Sequence, residues 1–150
     1  MQTAKQLSVS LVNKPGRLAT LLTALSKEKV NLRALSVMDS SDRGTLRFVP
    51  DDADAAKEVL EKSNLRFDTS DVLLADVPNQ PGAFRNICEK LAAEHLNIDY
   101  AYCSFNCGGA RAGAMAVIKV NDLAKAQRVL SENGTTSRRT RQGRRPVHSR

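Results

Sequence analysis

Two short runs in this 150-residue chain have the types and spacing to hold a small ligand: Asn13-Lys14-Pro15-Gly16 and Asn79-Gln80-Pro81-Gly82, 66 residues apart. A Pro-Gly turn lets a chain reverse sharply, and in both places the residues that follow have helical spacing. A helix that starts there presents unpaired N–H groups and the positive end of its dipole, which suit a carboxylate or a phosphate. Asn31 and Asn97 recur at the start of the next strand and can add an amide and a carbonyl. One carboxylate beside one ammonium, as in an α-amino acid, matches that complement. The same residues also read as an ordinary turn followed by an Asn that ends a helix.

Other chemistries find little support. Cys88, Cys103 and Cys107 are an odd set without CxxC spacing, and the histidines are His95 and His148, so no zinc site is expected. The thiols read as buried or half-buried free cysteines of a reducing compartment. No Ser/His/Asp set, P-loop or dinucleotide-binding glycine pattern is present, which argues against an enzyme and against a bound cofactor. Arg17 alone could serve an acylphosphatase-like anion loop. The net charge of +7 is uneven: Arg138, Arg139, Arg141, Arg144, Arg145 and Arg150 account for six charges, leaving the remainder nearly neutral. No run approaches the length of a membrane span and the start does not resemble a secretory signal, so a cytoplasmic location is expected.

The elements that must position the two runs repeat with them. Leu18 aligns with Phe84, Leu22 with Cys88, Leu25 with Leu91, Val30 with Leu96, and Asn31-Leu32 with Asn97-Ile98; Val59-Leu60 matches Val129-Leu130 at an offset of 70, which places four extra residues near 108–111. Leu7, Val9 and Leu11 alternate as a strand does, and so does the run from Val72. Leu18, Leu21, Leu22, Leu25 and Phe84, Ile87, Cys88, Leu91 have helical spacing. Strand pairs are expected at roughly 31–39 with 44–49 and 97–106 with 113–120, and second helices open at Asp51-Asp52 and Asn121-Asp122, whose side chains can cap the first turn. Strand, helix, strand, strand, helix, strand is the ferredoxin-like order. The fold class is therefore α+β: two tandem βαββαβ sandwiches, residues 1–69 and 70–134, pairing side by side into a larger antiparallel sheet. A basic tail at 135–150 reads as disordered.

These paired motifs, from Asn13-x-Pro-Gly-x-Leu18 through Asn31-Leu32 and from Asn79-x-Pro-Gly-x-Phe84 through Asn97-Ile98, resemble the ACT domain, a regulatory module of amino-acid metabolism. The resemblance covers about residues 6–134. It implies domains paired through their sheets, with an amino acid held at an interface by the loop after the first strand and by the second strand. Carried over by position, it nominates Asn13, Pro15, Gly16, Arg17, Leu18 and Asn31 in the first copy, and Asn79, Pro81, Gly82, Ala83, Phe84, Asn97 and Ile98 in the second. Many ACT domains have Asp where this chain has Asn13 and Asn79, which changes the local charge. The second site is favoured because Tyr100 and Tyr102 follow Asn97 and can wall an apolar pocket, though they also read as strand-face packing.

The chain departs from the family pattern at its end. Leu65-Arg66-Phe67 closes the first copy, but TTSRRTRQGRRPVHSR follows the second helix of the other copy with no apolar alternation. The second copy therefore lacks a clear last strand, which should leave a sheet edge open to another chain. The leading expectation is a non-catalytic amino-acid sensor forming a homodimer or higher homo-oligomer. The alternatives are a regulatory subunit acting in trans on a biosynthetic enzyme, and an RNA-binding protein using the tail.

Overall fold

The computed structural model describes residues 2–40, 42–105 and 113–136. The Cys107 thiol, the extra residues near 108–111 and the arginines of the basic tail lie outside them. The elements follow the expected order: β1 (Gln2–Val12), α1 (Arg17–Lys27), β2 (Leu32–Ser40), β3 (Arg43–Pro50), α2 (Ala53–Lys62), β4 (Phe67–Val77), α3 (Ala83–Ala93), β5 (Ile98–Phe105), β6 (Ala114–Val120) and α4 (Leu123–Thr136). The last helix runs two residues past the expected end of the second copy.

Period-2 alternation sorts the strand residues onto two faces. On one face, Leu7, Val9, Leu11, Leu46 and Phe48 meet α1 and α2 through Leu21, Leu25, Ala56, Val59 and Leu60. The corresponding face of the second copy packs Leu73, Ala75, Ala116, Ile118 and Val120 against Ile87, Leu91, Ala126 and Leu130. All four helices thus cover one side of a single six-stranded antiparallel sheet, ordered β2-β3-β1-β4-β6-β5. The opposite side has its own smaller cluster, centred on Val49, Val72, Leu74 and Val117.

The sheet corrects two expectations. The closing strand of the first copy and the opening strand of the second are one continuous strand, β4: its first part pairs with β1, from Phe67 opposite Val9, while Leu73–Val77 pairs with β6. The expected open edge beside the second copy is not there. The first half of β1 fills that place, with Gln2 opposite Leu74 and Ala4 opposite Val72. Each eleven-residue strand therefore serves its own copy with one half and completes the other copy with the other. Among the described residues the edge strands are β2 and β5.

The pairing registers define an internal two-fold axis. Leu7 opposes Phe48 as Leu73 opposes Ile118, so equivalent residues are 66 apart in β1 and β4 and 70 apart in β3 and β6. Lys5 and Asp71 are themselves 66 apart and oppose each other, which puts them on the axis. They form an ion pair of 2.6 Å across it.

The sheet also curls toward its helix-free side until the outer strands β2 and β5 touch, and Ser104 Oγ donates to the Arg33 carbonyl over 2.7 Å. Inside this curl Gln6 is fully buried. Its amide nitrogen donates to Tyr100 OH and to Ser8 Oγ, and its carbonyl accepts from Tyr102 OH at 2.8 Å. The Arg47 guanidinium lies 4.1 Å above the Tyr100 ring.

Candidate functional site

The two Pro-Gly loops adopt one conformation. Gly16 has φ 83° and Gly82 φ 79°, the left-handed region that Gly enters without a Cβ penalty, and each stands immediately before its helix. Neither helix has a side-chain cap. The Arg17 and Ala83 amides reach back to the carbonyls of Lys14 and Gln80, both at 3.3 Å. The Thr20 and Asn86 amides reach Gly16 and Gly82. Among the described residues this leaves the Leu18 and Ala19 amides, and those of Phe84 and Arg85, without an acceptor. The helices that start at the other end of the sheet are finished differently: Asp52 accepts from the Ala55 amide and Asp122 from the Lys125 amide, both at 3.1 Å, as the sequence suggested.

Beside the first loop is a recess of about 160 Å³, floored by Leu11, Leu18 and Leu46 and bordered by Asn13, Lys14, Arg17 and Val37. Asn13 helps shape it: its amide donates to the Asp42 carbonyl at 3.1 Å, and its side chain to Asp39 Oδ1 at 3.4 Å. Pro15, Gly16 and Arg17 are exposed and Leu18 is half-buried, so an apolar floor lies next to uncapped amides and two cations. Val37, on the edge strand β2, was missed in the sequence. It is 55% exposed, with Leu35 at 40% and Met38 at 53% on the same strand. The apolar residues of β2 are visible in the sequence, but only the topology shows that among the described residues no strand pairs with its outer edge.

The second loop places Asn79, Pro81 and Gly82 at the surface, Ala83 buried and Phe84 half-buried in the core of its copy. Its residues equivalent to Lys14 and Arg17 are Gln80 and Ala83, so it has no cation at those positions, and the nearby Arg85 is paired with Glu89 at 2.7 Å. The tyrosines that favoured this site do not face it. Tyr100 and Tyr102 belong to the helix-free face, where they hold Gln6. Burial, reinforced by the neighbouring Tyr100 and opposed by Arg47, pushes the Tyr102 phenol well above the usual tyrosine range.

Asn31 and Asn97 are not brought to the loops of their own copies. Each lies at the far end of an eleven-residue helix, about 16 Å long, at the start of the next strand. Their backbones form a two-bond clamp instead. The Asn31 amide donates to Asp51 Oδ1 and its carbonyl accepts from the Asp51 amide; Asn97 and Asn121 repeat the pattern. The Asn97 side chain donates to Asp99, and Ile98 is half-buried against the second core. Cys88 is half-buried and free as expected, but Cys103, on the edge strand β5, is exposed. Among the described residues no three His, Cys, Asp or Glu side chains gather as metal ligands, and no helix is long and apolar enough to cross a membrane.

Two ferredoxin-like units that share one sheet, each with a left-handed glycine before an uncapped helix, define a paired ACT-type module. The comparisons agree: the ACT domain pair family matches residues 2–137, and the chain belongs to that family. A protein of Bacteroides thetaiotaomicron, BT0572, is 36% identical over 88% of this chain and 89% of its own, with a TM-score of 0.80. The ligand-free regulatory subunit of aspartate kinase from Thermus thermophilus shares the fold at 14% identity, over 88% of this chain and 97% of its own, with a TM-score of 0.61. A corresponding subunit from Thermus flavus has a TM-score of 0.57 at 16% identity, over 88% and 96% of the two chains. No curated relative matches the sequence.

Proposed function

We propose that this ACT domain pair is a non-catalytic regulatory protein of the cytoplasm that binds a free α-amino acid at the first Pro-Gly loop. The observation that carries the reading is the contrast between helix starts. At α2 and α4 a carboxylate of the chain already stands at the helix start, Asp52 and Asp122 each accepting from one first-turn amide. At Gly16 the Leu18 and Ala19 amides remain for a ligand carboxylate beside Arg17. The recess then accepts the apolar part of the ligand against Leu11, Leu18 and Leu46. The loss of the tyrosine argument, together with the two cations, moves the preference from the second loop to the first.

The site lies on the rim of β2, an edge strand with an exposed apolar row, so a partner strand laid against β2 closes the ligand in. A second copy of this chain is the partner proposed, and binding then couples to assembly. An enzyme that presents a strand to the same edge is the second reading. The RNA reading rests on arginines outside the described residues, and on the sheet face Tyr100 and Tyr102 are bound to Gln6 rather than presented for base stacking.

A thermal-shift screen with the twenty amino acids tests the proposal. A ligand at about 100 times its dissociation constant stabilises the fold by roughly 2.7 kcal/mol. A selective rise that is lost in Arg17→Gln and retained in Ala83→Gln supports the first loop as the site. No rise with any amino acid rejects amino-acid sensing.

A further inference from the structure

On the helix-free face, where β4 parts from the second half of β1, an open cleft of about 940 Å³ lies between β1, β3 and the segment leading into β4. Ser8, Ser10, Thr45, Arg43, Arg66 and Asp68 line it. Arg43 Nη1 donates to Ser10 Oγ at 3.1 Å, which fixes that guanidinium over the cleft, and the Ser10 amide holds the Arg66 carbonyl at 3.3 Å. Among the described residues neither arginine forms an ion pair, although Asp68 shares the cleft. On the same face of β3, Arg47 lies opposite Ser8, and its buried Nε has no acceptor.

The second copy supplies an internal control. By the registers, Ser8, Ser10, Thr45 and Arg47 correspond to Leu74, Asp76, Met115 and Val117. Arg43 corresponds to Gly113, where a Cβ would come within 2.1 Å of the Val77 carbonyl oxygen. At Gly113 the two backbones differ, but the paired stretch from Leu74 and Val117 to Val77 and Ala114 is built without a guanidinium or hydroxyl at the positions of Ser8, Ser10, Thr45 and Arg47, so the strand pairing does not require that polar set. Guanidinium groups flanked by hydroxyl donors are the donor chemistry that holds an oxyanion.

We propose that this cleft is a second ligand site, separate from the Pro-Gly loop, for a small molecule bearing a carboxylate or phosphate group. Arg43 and Arg66 bind the oxyanion, the Ser10 and Thr45 hydroxyls add donors, and Asp68 weakens anions of higher charge. The site shares no residue with the loop recess.

Backbone amide NMR titrations of the full chain with acetate and with inorganic phosphate, at constant ionic strength and against a chloride control, test the assignment. The expected result is saturable shifts at Ser8, Ser10, Thr45 and Arg66 with at least one oxyanion. Binding should weaken about tenfold in Arg66→Gln or Arg43→Gln, as for a lost charged hydrogen bond, tighten in Asp68→Asn, and stay unchanged in Arg17→Gln. Saturation by acetate alone assigns a carboxylate ligand, by phosphate alone a phosphorylated one, and by both the shared oxyanion site. Shifts that follow chloride, never saturate, or persist in both arginine variants overturn the proposal. The amino-acid screen is unaffected by any of these results, because its site depends on Arg17.

Discussion

The two copies share a backbone and differ in what they place on it. Their helix-side cores are interchangeable in kind: Leu7, Val9 and Leu11 stand where Leu73, Ala75 and Val77 do, all closely packed. Their helix-free faces are not. The first copy puts Gln6, Ser8, Ser10, Thr45 and Arg47 where the second has Val72, Leu74, Asp76, Met115 and Val117. The second copy in turn puts Tyr100 and Tyr102 where the first has Ala34 and Ser36. The polar half and the aromatic half then meet inside the curl, Gln6 against both tyrosines and Arg47 over Tyr100. A repeat fixes the positions that hold the fold, and the positions it leaves free are where specific chemistry accumulates.

The largest test of that equivalence is in the core. Leu7→Ala and Leu73→Ala should each cost about 2–5 kcal/mol, because both side chains are fully buried. Calorimetry should show a single transition in both variants, since β1 and β4 each belong to both copies. Two separated transitions in either variant would break the shared-strand account.

The next test addresses the asymmetric face. Gln6→Ala removes the acceptor of the half-buried Tyr102 hydroxyl, an expected cost of about 1–3 kcal/mol by chemical denaturation. Burial also holds the Tyr102 proton in the folded state beyond the pH at which the unfolded phenol, of pKa about 10, loses it. The unfolded chain then binds fewer protons than the folded one, so stability should fall as pH rises above about 10. In Tyr102→Phe that alkaline slope should flatten.

At the loops, Gly16→Ala and Gly82→Ala should each cost about 1–2 kcal/mol, the penalty for a Cβ in the left-handed region. Beyond the two flanking residues nothing lies within 4 Å of either added Cβ, so the penalty is conformational and should be equal in the two copies. Unequal values would show that one loop is held by more than its turn.

The smallest effect sits on the internal axis. The Lys5–Asp71 pair is more than half exposed, so losing it should cost no more than about 0.2–1 kcal/mol. Its value lies in orientation: two first copies placed against each other would oppose Lys5 to Lys5, and two second copies Asp71 to Asp71. Lys5→Asp should lower the melting temperature slightly, and adding Asp71→Lys should restore it. Failure of the double variant to recover would remove charge pairing from the account of how the halves recognise each other.

The repeat, the element order and the two glycine turns are legible in the order of residues alone. Those features depend on neighbours in the chain: apolar period, Pro-Gly chemistry and acidic helix starts report local geometry directly. The boundaries of β2, β3, β5 and β6 followed to within a residue or two, while β1 begins five residues before its alternating run and β4 joins two expected strands. The sequence also placed Asn13 through Leu18 around a single loop.

Features that depend on partners distant in the chain emerge from the assembled fold. Residues 2–6 complete the second copy because β1 and β4 pair antiparallel along most of their length, and nothing in a single copy announces that partner. Asn31 and Asn97 recur at matching positions, yet a helix length separates them from the loops of their own copies, since recurrence in sequence carries no direction in space. Tyr100 and Tyr102 follow Asn97 closely, but strand alternation sends them to the face away from the loop. Arg43 and Arg66 are 23 residues apart and unremarkable in sequence. They share a cleft because β4 leaves β1 at Phe67, a divergence set by the packing of two whole copies on one curled sheet.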